Sequence, residues 1–280
     1  MKPASPMPAE EWRARLSLGF EYRAGCTRLT RRGHEGPLVL QRPFYPEGPA
    51  VCQGVVVHPP GGIAGGDTLE IEISVGAEAH AQLTTPGAGK WYRGYERASA
   101  QRIRIAVDRA GVCEWLPQEN IVFDGAHAAM HLEVDLCEGA VYCGWELTCL
   151  GRPESDAPFR SGSVRQSVAV RKSGRTLFRE RACLEPGAPA LAASTGLEGH
   201  CAYGTLIVAG STPDRAVIER AREAVEGIPM SGVTAMGEVF VARWVGDRVE
   251  QGRSLFTSLW AILRPWYVRR MALVPRIWAT

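Results

Sequence analysis

Residues 58–92 read HPPGGIAGGDTLEIEISVGAEAHAQLTTPGAGKWY, and this stretch decides the fold. Gly61, Gly62, Gly65 and Gly66 form a loop that ends on Asp67. Glycine accepts positive φ and close backbone approach, so the doubled Gly-Gly reads as a shaped connection. The strand behind it alternates without error: Leu69, Ile71, Ile73 and Val75 point one way, Thr68, Glu70, Glu72 and Ser74 the other. Gly76-Ala77-Glu78 turns the chain. On the return, Ala79, Ala81 and Leu83 are expected to face the core, and His80, Gln82 and Thr84 to face away. The stretch closes on Lys90, Trp91 and Tyr92.

The same texture extends outward in both directions. Upstream, residues 14–18 and 23–29 read as short strands, 37–49 as a proline-rich extended connection, and 51–57 as the apolar strand that delivers the glycine loop. Downstream, 102–107, 112–116, 121–123, 129–136 and 141–149 read as strands separated by turns such as Asp108-Arg109-Ala110-Gly111. Residues 164–170 and 176–184 form a hairpin around Lys172-Ser173-Gly174, and 204–209 and 233–245 are again β-like. Short alternating strands with frequent turn signals argue a mainly β chain. No fixed-period sequence repeat is visible.

Two helices interrupt the pattern in the C-terminal third. Thr212-Pro213-Asp214 reads as N-cap, proline at the first helical position, and an acid for the helix dipole, which predicts a helix over 213–226. Leu255, Leu259, Ile262 and Leu263 share a face, which predicts a second over 252–263, ended by Pro265. The apolar C-terminus around Trp278 is expected to dock. Residues 1–10 are expected to be a flexible tail on a single domain spanning 1–280.

The formal net charge of +2 argues against a dedicated nucleic-acid binder. The first dozen residues hold no apolar signal region and no run reaches about 18 apolar residues, so neither export nor a membrane span is expected and the chain reads as cytoplasmic. The eight cysteines then read as free thiols. Cys137, Cys143 and Cys149, six apart, are expected on one face of extended chain as small buried hydrophobes.

The glycine loop is not a phosphate cradle of known type. A GxxxxGK[ST] loop ending on Lys90 requires glycine at 84 and Ser or Thr at 91, where the chain has Thr84 and Trp91. GxSxG and HExxH are absent. The loop is either a tight connection or a platform presenting His58 and Asp67 to a partner, cavity or ion. His127 and His131 share a strand face with Glu133 and Asp135, a face that suits a divalent metal but is more often simply solvated. A dispersed set, Asp67, Lys90, Glu119, Glu146 and Glu180, sits beside apolar or aromatic sequence. A carboxylate buried there must be paired, hydrogen-bonded or functional. It either makes ordinary salt bridges, for instance to Lys90 or Arg93, or lines a polar path for a hard or borderline cation.

Several blocks taken together resemble the urease accessory protein UreD family, called UreH in some systems. They are GPLVLQRPFYPEG at 36–48, HPPGGIAGGD at 58–67, the TT and K-x-Y-R pattern within 84–93, EWLPQENIVFDGA at 114–126, GWELTCLGRPES at 144–155, and LWAILRPW through PRIWAT at 259–280. The chain departs from the family pattern at TTPGAG before Lys90. The resemblance implies strands stacked in a β-helix-like coil with two α-helices. It also implies a urease maturation factor and not an enzyme, one that works in the cytoplasm with UreF and the GTPase UreG. These would dock on apo-urease and deliver nickel, with no tightly bound cofactor on this chain and nickel only in transit. Asp67, Lys90, Tyr92, Glu119, Glu146 and Glu180 match family motifs and become candidates for an internal nickel passage or its support. Two readings stand against it: a β-sandwich or jelly-roll module for a small ligand or carbohydrate, and a hydrolase with a carboxylate pair such as Glu119 and Glu146.

Overall fold

A computed structural model describes residues 12–279; the tail expected at 1–10 lies outside the described residues. In chain order the strands are β1 (Arg13–Arg23), β2 (Cys26–Glu35), β3 (Val39–Leu40), β4 (Val51–Val57), β5 (Thr68–Val75), β6 (His80–Thr84), β7 (Gly89–Trp91), β8 (Ser99–Val107) and β9 (Val112–Leu116). They continue as β10 (Asn120–Val122), β11 (Ala126–Leu136), β12 (Val141–Leu150), β13 (Gly162–Lys172), β14 (Arg175–Leu184), β15 (Ala202–Ala209), β16 (Ser231–Met236) and β17 (Val239–Gly246). Three α-helices are α1 (Pro189–Ala192), α2 (Arg215–Val225) and α3 (Val249–Val268).

From β4 onward the chain winds between two sheets. β5, β8, β11 and β13 stack in parallel on β1 in one sheet, while β6, β9 and β12 stack in parallel on β4 in the other. The result is a β-solenoid of about four turns, as the resemblance implied. A β-sandwich would join neighbouring strands as antiparallel hairpins or Greek keys; here the stacked strands run parallel, and antiparallel pairs such as β1 with β2 and β13 with β14 flank the stack. β15, β17 and β16 extend the second sheet antiparallel beyond β12.

The rungs are unequal, which is why the sequence carries no visible repeat. Val51, His80, Val112 and Val141 stand side by side although they lie 29, 32 and 29 residues apart. In the first sheet Thr68, Ala100, Ala129 and Arg165 align at separations of 32, 29 and 36. Alternation within β5, β8 and β11 is nevertheless strict. Leu18, Ile73, Ile105, Val134 and Val170 form one inward ladder, buried throughout, and same-face aliphatic neighbours of this kind stabilise a pleated surface. Outward, Arg104 lies 3.9 Å from Glu72 and Glu133, and Arg171 lies 3.7 Å from Glu133. These exposed pairs each contribute little.

The second sheet is buried on both faces, the usual lot of parallel strands covered by helices. Cys52, Ala81, Cys113 and Tyr142 face the solenoid interior. The opposite face is covered by α3 and α2. This overturns the expectation for β6: His80, Gln82 and Thr84 are as buried as their neighbours, because the helical layer covers the side that alternation assigned to water. The docked C-terminus was read correctly. Trp278 packs 5.7 Å from Trp145 and 6.2 Å from Trp260, and its indole donates to Thr84 Oγ1 at 2.8 Å.

Helix ends differ from expectation. The N-cap of α2 is Asp214, whose carboxylate accepts from Val217 N at 2.8 Å, so the helix starts after Pro213. α3 begins earlier than residue 252 and passes through Pro265 to end at Arg269 in the left-handed region. A proline near a helix end forfeits one hydrogen bond, and Arg264 and Tyr267 anchor the turn on both sides of it. Cys137 does not share the face of Cys143 and Cys149: it is exposed, ahead of β12, whereas the other two are buried on the strand.

Candidate functional site

The site begins with the parity of β12. Its odd residues Cys143, Trp145, Leu147 and Cys149 pack into the helical layer, which leaves Tyr142, Gly144, Glu146 and Thr148 to face the solenoid interior. Glu146 is therefore a carboxylate aimed into the lumen. No hydrogen bond or cation reaches it among the described residues. Burial, and secondarily the charge of Glu180, push its pKa up to about 7. It remains accessible to internal space, because two cavities of about 280 Å³ each share it as a wall.

The first cavity runs toward the C-terminal end of the solenoid. Its polar lining includes Gln166, Tyr203, Thr205, Glu180 and Arg243. Glu180 accepts from Arg243 Nη2 at 2.6 Å and Nε at 3.1 Å, and from Thr205 Oγ1 at 3.2 Å. Deeper in, the Tyr203 hydroxyl meets Gln166, whose amide donates to Thr148 Oγ1 at 2.9 Å.

The second cavity runs from Glu146 to the glycine loop and includes His58, Gly61, Gly62, Lys90 and Asn120 in its wall. Lys90 is exposed. His58 is half-buried; burial lowers its pKa while Asp67 pulls it the other way. The loop is shaped by contact. A Cβ on Gly62 would overlap the Tyr92 ring, and Gly66 has φ +97° with Arg97 against it. Tyr92 in turn stands edge-on to Phe123 at 5.1 Å. Gly61 takes φ +76°, and Gly65 lies against the Gly94 backbone.

The candidate residues thus divide. Glu146 joins both cavities, Glu180 lies in one, and His58 and Lys90 in the other. Asp67 uses its carboxylate to accept from Ala64 N at 2.8 Å and so closes its own loop. Tyr92 is wall support. Glu119 faces the helical layer, where Arg253 donates to it at 2.9 Å and to Gln118 at 2.6 Å. Glu119 and Glu146 therefore do not converge as a hydrolytic pair. His127 and His131 lie on the outer face of the first sheet, where Ser163 (3.0 Å) and Ser167 (2.7 Å) engage their Nδ1 atoms. Among the described residues no group of three or more His, Cys, Asp or Glu is placed to hold a metal ion.

A family model described as "UreD urease accessory protein" matches residues 13–279. The chain belongs to the UreD family. A "Urease accessory protein UreD" of Methylobacillus flagellatus is 44% identical over 97% of this chain and 95% of its own length. Relatives of the same description from an Azoarcus species and a Janthinobacterium species are 46% and 43% identical, over 96% and 95% of this chain and 94% and 91% of theirs. UreD proteins are accessory to urease and are not themselves catalysts. No described helix is long and apolar enough to cross a membrane.

This UreD chain also holds a buried polar centre that the sequence reading passed over. Glu114, fully buried on β9, is in register with Gln82 of β6. Gln82 Nε2 (3.2 Å), His80 Nε2 (2.9 Å), Trp260 Nε1 (2.9 Å), Arg264 Nε (3.0 Å) and the Tyr267 hydroxyl (2.5 Å) surround its carboxylate. Arg264 also forks onto Glu47 at 2.7 and 2.8 Å and donates to the Met271 carbonyl at 2.6 Å. Desolvation pushes the Glu114 pKa up, but His80 and Arg264 outweigh it and hold the carboxyl well below its usual range. The centre fastens α3 and the Glu47 loop to the sheet and lines neither of the two lumen cavities. A signal was present: Glu114 sits between Cys113 and Trp115, and Arg264 interrupts the apolar run WAILRPW.

Proposed function

We propose that this chain is a cytoplasmic urease maturation factor. It docks on apo-urease together with UreF and the GTPase UreG, and nickel reaches the urease active site through the solenoid lumen. The observation that carries this reading is Glu146, an unpaired carboxylate on the shared wall of two cavities. Nickel accepts oxygen and imidazole donors. A cargo ion needs donors that let go, so isolated carboxylates spaced along a lumen suit transit better than a closed set of ligands. Glu180 stands toward one end and His58 and Lys90 toward the other. Asp67, Tyr92 and the glycines shape the second mouth, and Glu119 secures the helical layer beside it. Family membership supports the maturation role, and the lumen supports the route.

The test uses cells carrying the urease operon with this gene replaced by Glu146→Gln or Glu146→Leu. Urease nickel content and activity are expected to fall, more for Leu than for Gln, while apo-urease accumulates and still co-purifies with the variant. Full nickel loading with both variants would remove Glu146 from the route. Full loading in a complete deletion of the gene would remove the maturation role itself.

A further inference from the structure

Beyond α3 the chain crosses the surface as an open ribbon. Residues 271–275, MALVP, belong to no helix or strand. Among the described residues no hydrogen bond reaches the backbone N–H or C=O of Ala272, Leu273 or Val274. The ribbon is nevertheless fixed at both ends. Upstream, Arg264 Nη1 donates to the Met271 carbonyl at 2.6 Å. Downstream, Pro275 is buried and its carbonyl accepts from Trp278 N at 3.0 Å. Met271, Leu273 and Val274 are 75%, 44% and 49% exposed, so three large hydrophobic side chains meet water within four residues. Arg269 and Arg270 precede the ribbon and Arg276 follows it. All three are exposed, and none makes an ion pair among the described residues; the nearby Glu47 carboxylate is already held by Arg264. Beside the ribbon an open groove of about 530 Å³ is lined by Phe44, Val55 and Ile277, with Arg276 in its wall.

These features select one kind of occupant. Unpaired peptide groups held in place are a template for another strand. An acyl chain supplies neither donors nor acceptors, so a lipid surface would bury these groups unsatisfied. A second copy related by a two-fold axis would pair antiparallel. That sets Arg269 and Arg270 against the other copy's Arg276, and facing like charges destabilise a strand pair. A partner strand with carboxylates flanking apolar residues meets every demand. It pairs the backbone, neutralises the guanidiniums and covers Met271, Leu273 and Val274.

We propose that residues 269–276 are a docking strand for an extended acidic segment of another protein, which adds to the ribbon by backbone pairing and seats a side chain in the groove between Phe44 and Ile277. Val274 precedes Pro275 and so favours the extended backbone that this pairing needs. The choice of partner rests on the maturation reading: the segment belongs to a protein of the urease operon. The contact is separate from the nickel route, since none of residues 269–276 lines either lumen cavity.

The experiment replaces Leu273 by the photo-reactive amino acid p-benzoylphenylalanine in cells carrying the urease operon, irradiates them, and maps the cross-linked peptides of the purified full-length protein by mass spectrometry. The expected adduct is one peptide of one operon-encoded protein, with carboxylates flanking apolar residues. Arg269→Glu combined with Arg276→Glu is expected to cut recovery of that protein about tenfold, and changing the partner's carboxylates to lysine is expected to restore it. Urea unfolding of the double variant is expected to match the wild type, since neither arginine has an ion pair to lose. Leu273→Ser, which leaves the charges alone, is expected to lower recovery as well and decides if the double variant fails to fold. Full recovery of every operon protein with both variants overturns the proposal. So does an adduct to a second copy of this chain, flotation with anionic phospholipid vesicles that the variants abolish, or the absence of any adduct. Undiminished recovery from the variants alongside fully nickel-loaded urease would sink this surface and leave the maturation role standing.

Discussion

Glu146, half-buried, and Glu114, fully buried, are both carboxylates set among aromatic residues, and their surroundings drive them in opposite directions. Glu146 has no cation beside it, and its pKa rises from the ordinary 4.5 to about 7. Between those values the folded chain keeps a proton that the unfolded chain has released, so folding weakens as pH rises through this window. Above it the ionised carboxyl costs on the order of 3 kcal/mol. Glu146→Gln is expected to stabilise the protein by about that amount near pH 8 and to change little near pH 4, as read by urea unfolding at the two pH values. Glu114 behaves in reverse, since its depressed pKa adds stability at neutral pH that is lost only in strong acid. Glu114→Gln leaves Arg264 short of a buried partner and is expected to cost about 3–5 kcal/mol in the same assay. The sequence pointed to Glu146 and passed over Glu114 on equal local evidence, because which face of a strand meets a lumen and which meets a helix depends on distant chain.

At the scale of the element, alternation located strands well and assigned their faces unevenly. It served β5, which has one wet face, and failed for β6, whose second face lies under α3 and Trp278. Period two reports two faces but not what covers them. Helix positions were legible and helix ends less so: Pro265 reads as a terminus on local sterics, yet the Arg264 anchor holds the turn around it. Trp278 is half-buried, so Trp278→Ala is expected to cost about 2 kcal/mol, less than a fully buried tryptophan; loss of urea resistance would register it. The glycine loop was read as shaped, and Gly62 bears the sharpest constraint. Gly62→Ala is expected to displace the Tyr92 ring, cost about 1–3 kcal/mol, and lower urease nickel content in the operon assay. Unchanged stability would show that the ring yields freely.

For the molecule as a whole, the solenoid was not legible from periodicity and became so only through the blocks shared with a family. The blocks fall mostly at loops and strand ends, where rungs turn. If the lumen is the route, a plug anywhere along it should act like a change at Glu146. Thr205→Trp, in the first cavity, is expected to reduce urease nickel content strongly while leaving the complex with urease intact; full loading would place the route elsewhere.

The unequal rungs have a further consequence. In an array of identical turns, a strand can settle one turn out of place, or pair with the same turn of another molecule, at little cost. Here a strand displaced by one turn meets a connection about three residues too long or too short, roughly 10 Å of chain. The irregular spacing works like the wards of a lock, admitting one threading of the chain and turning the near-misses away.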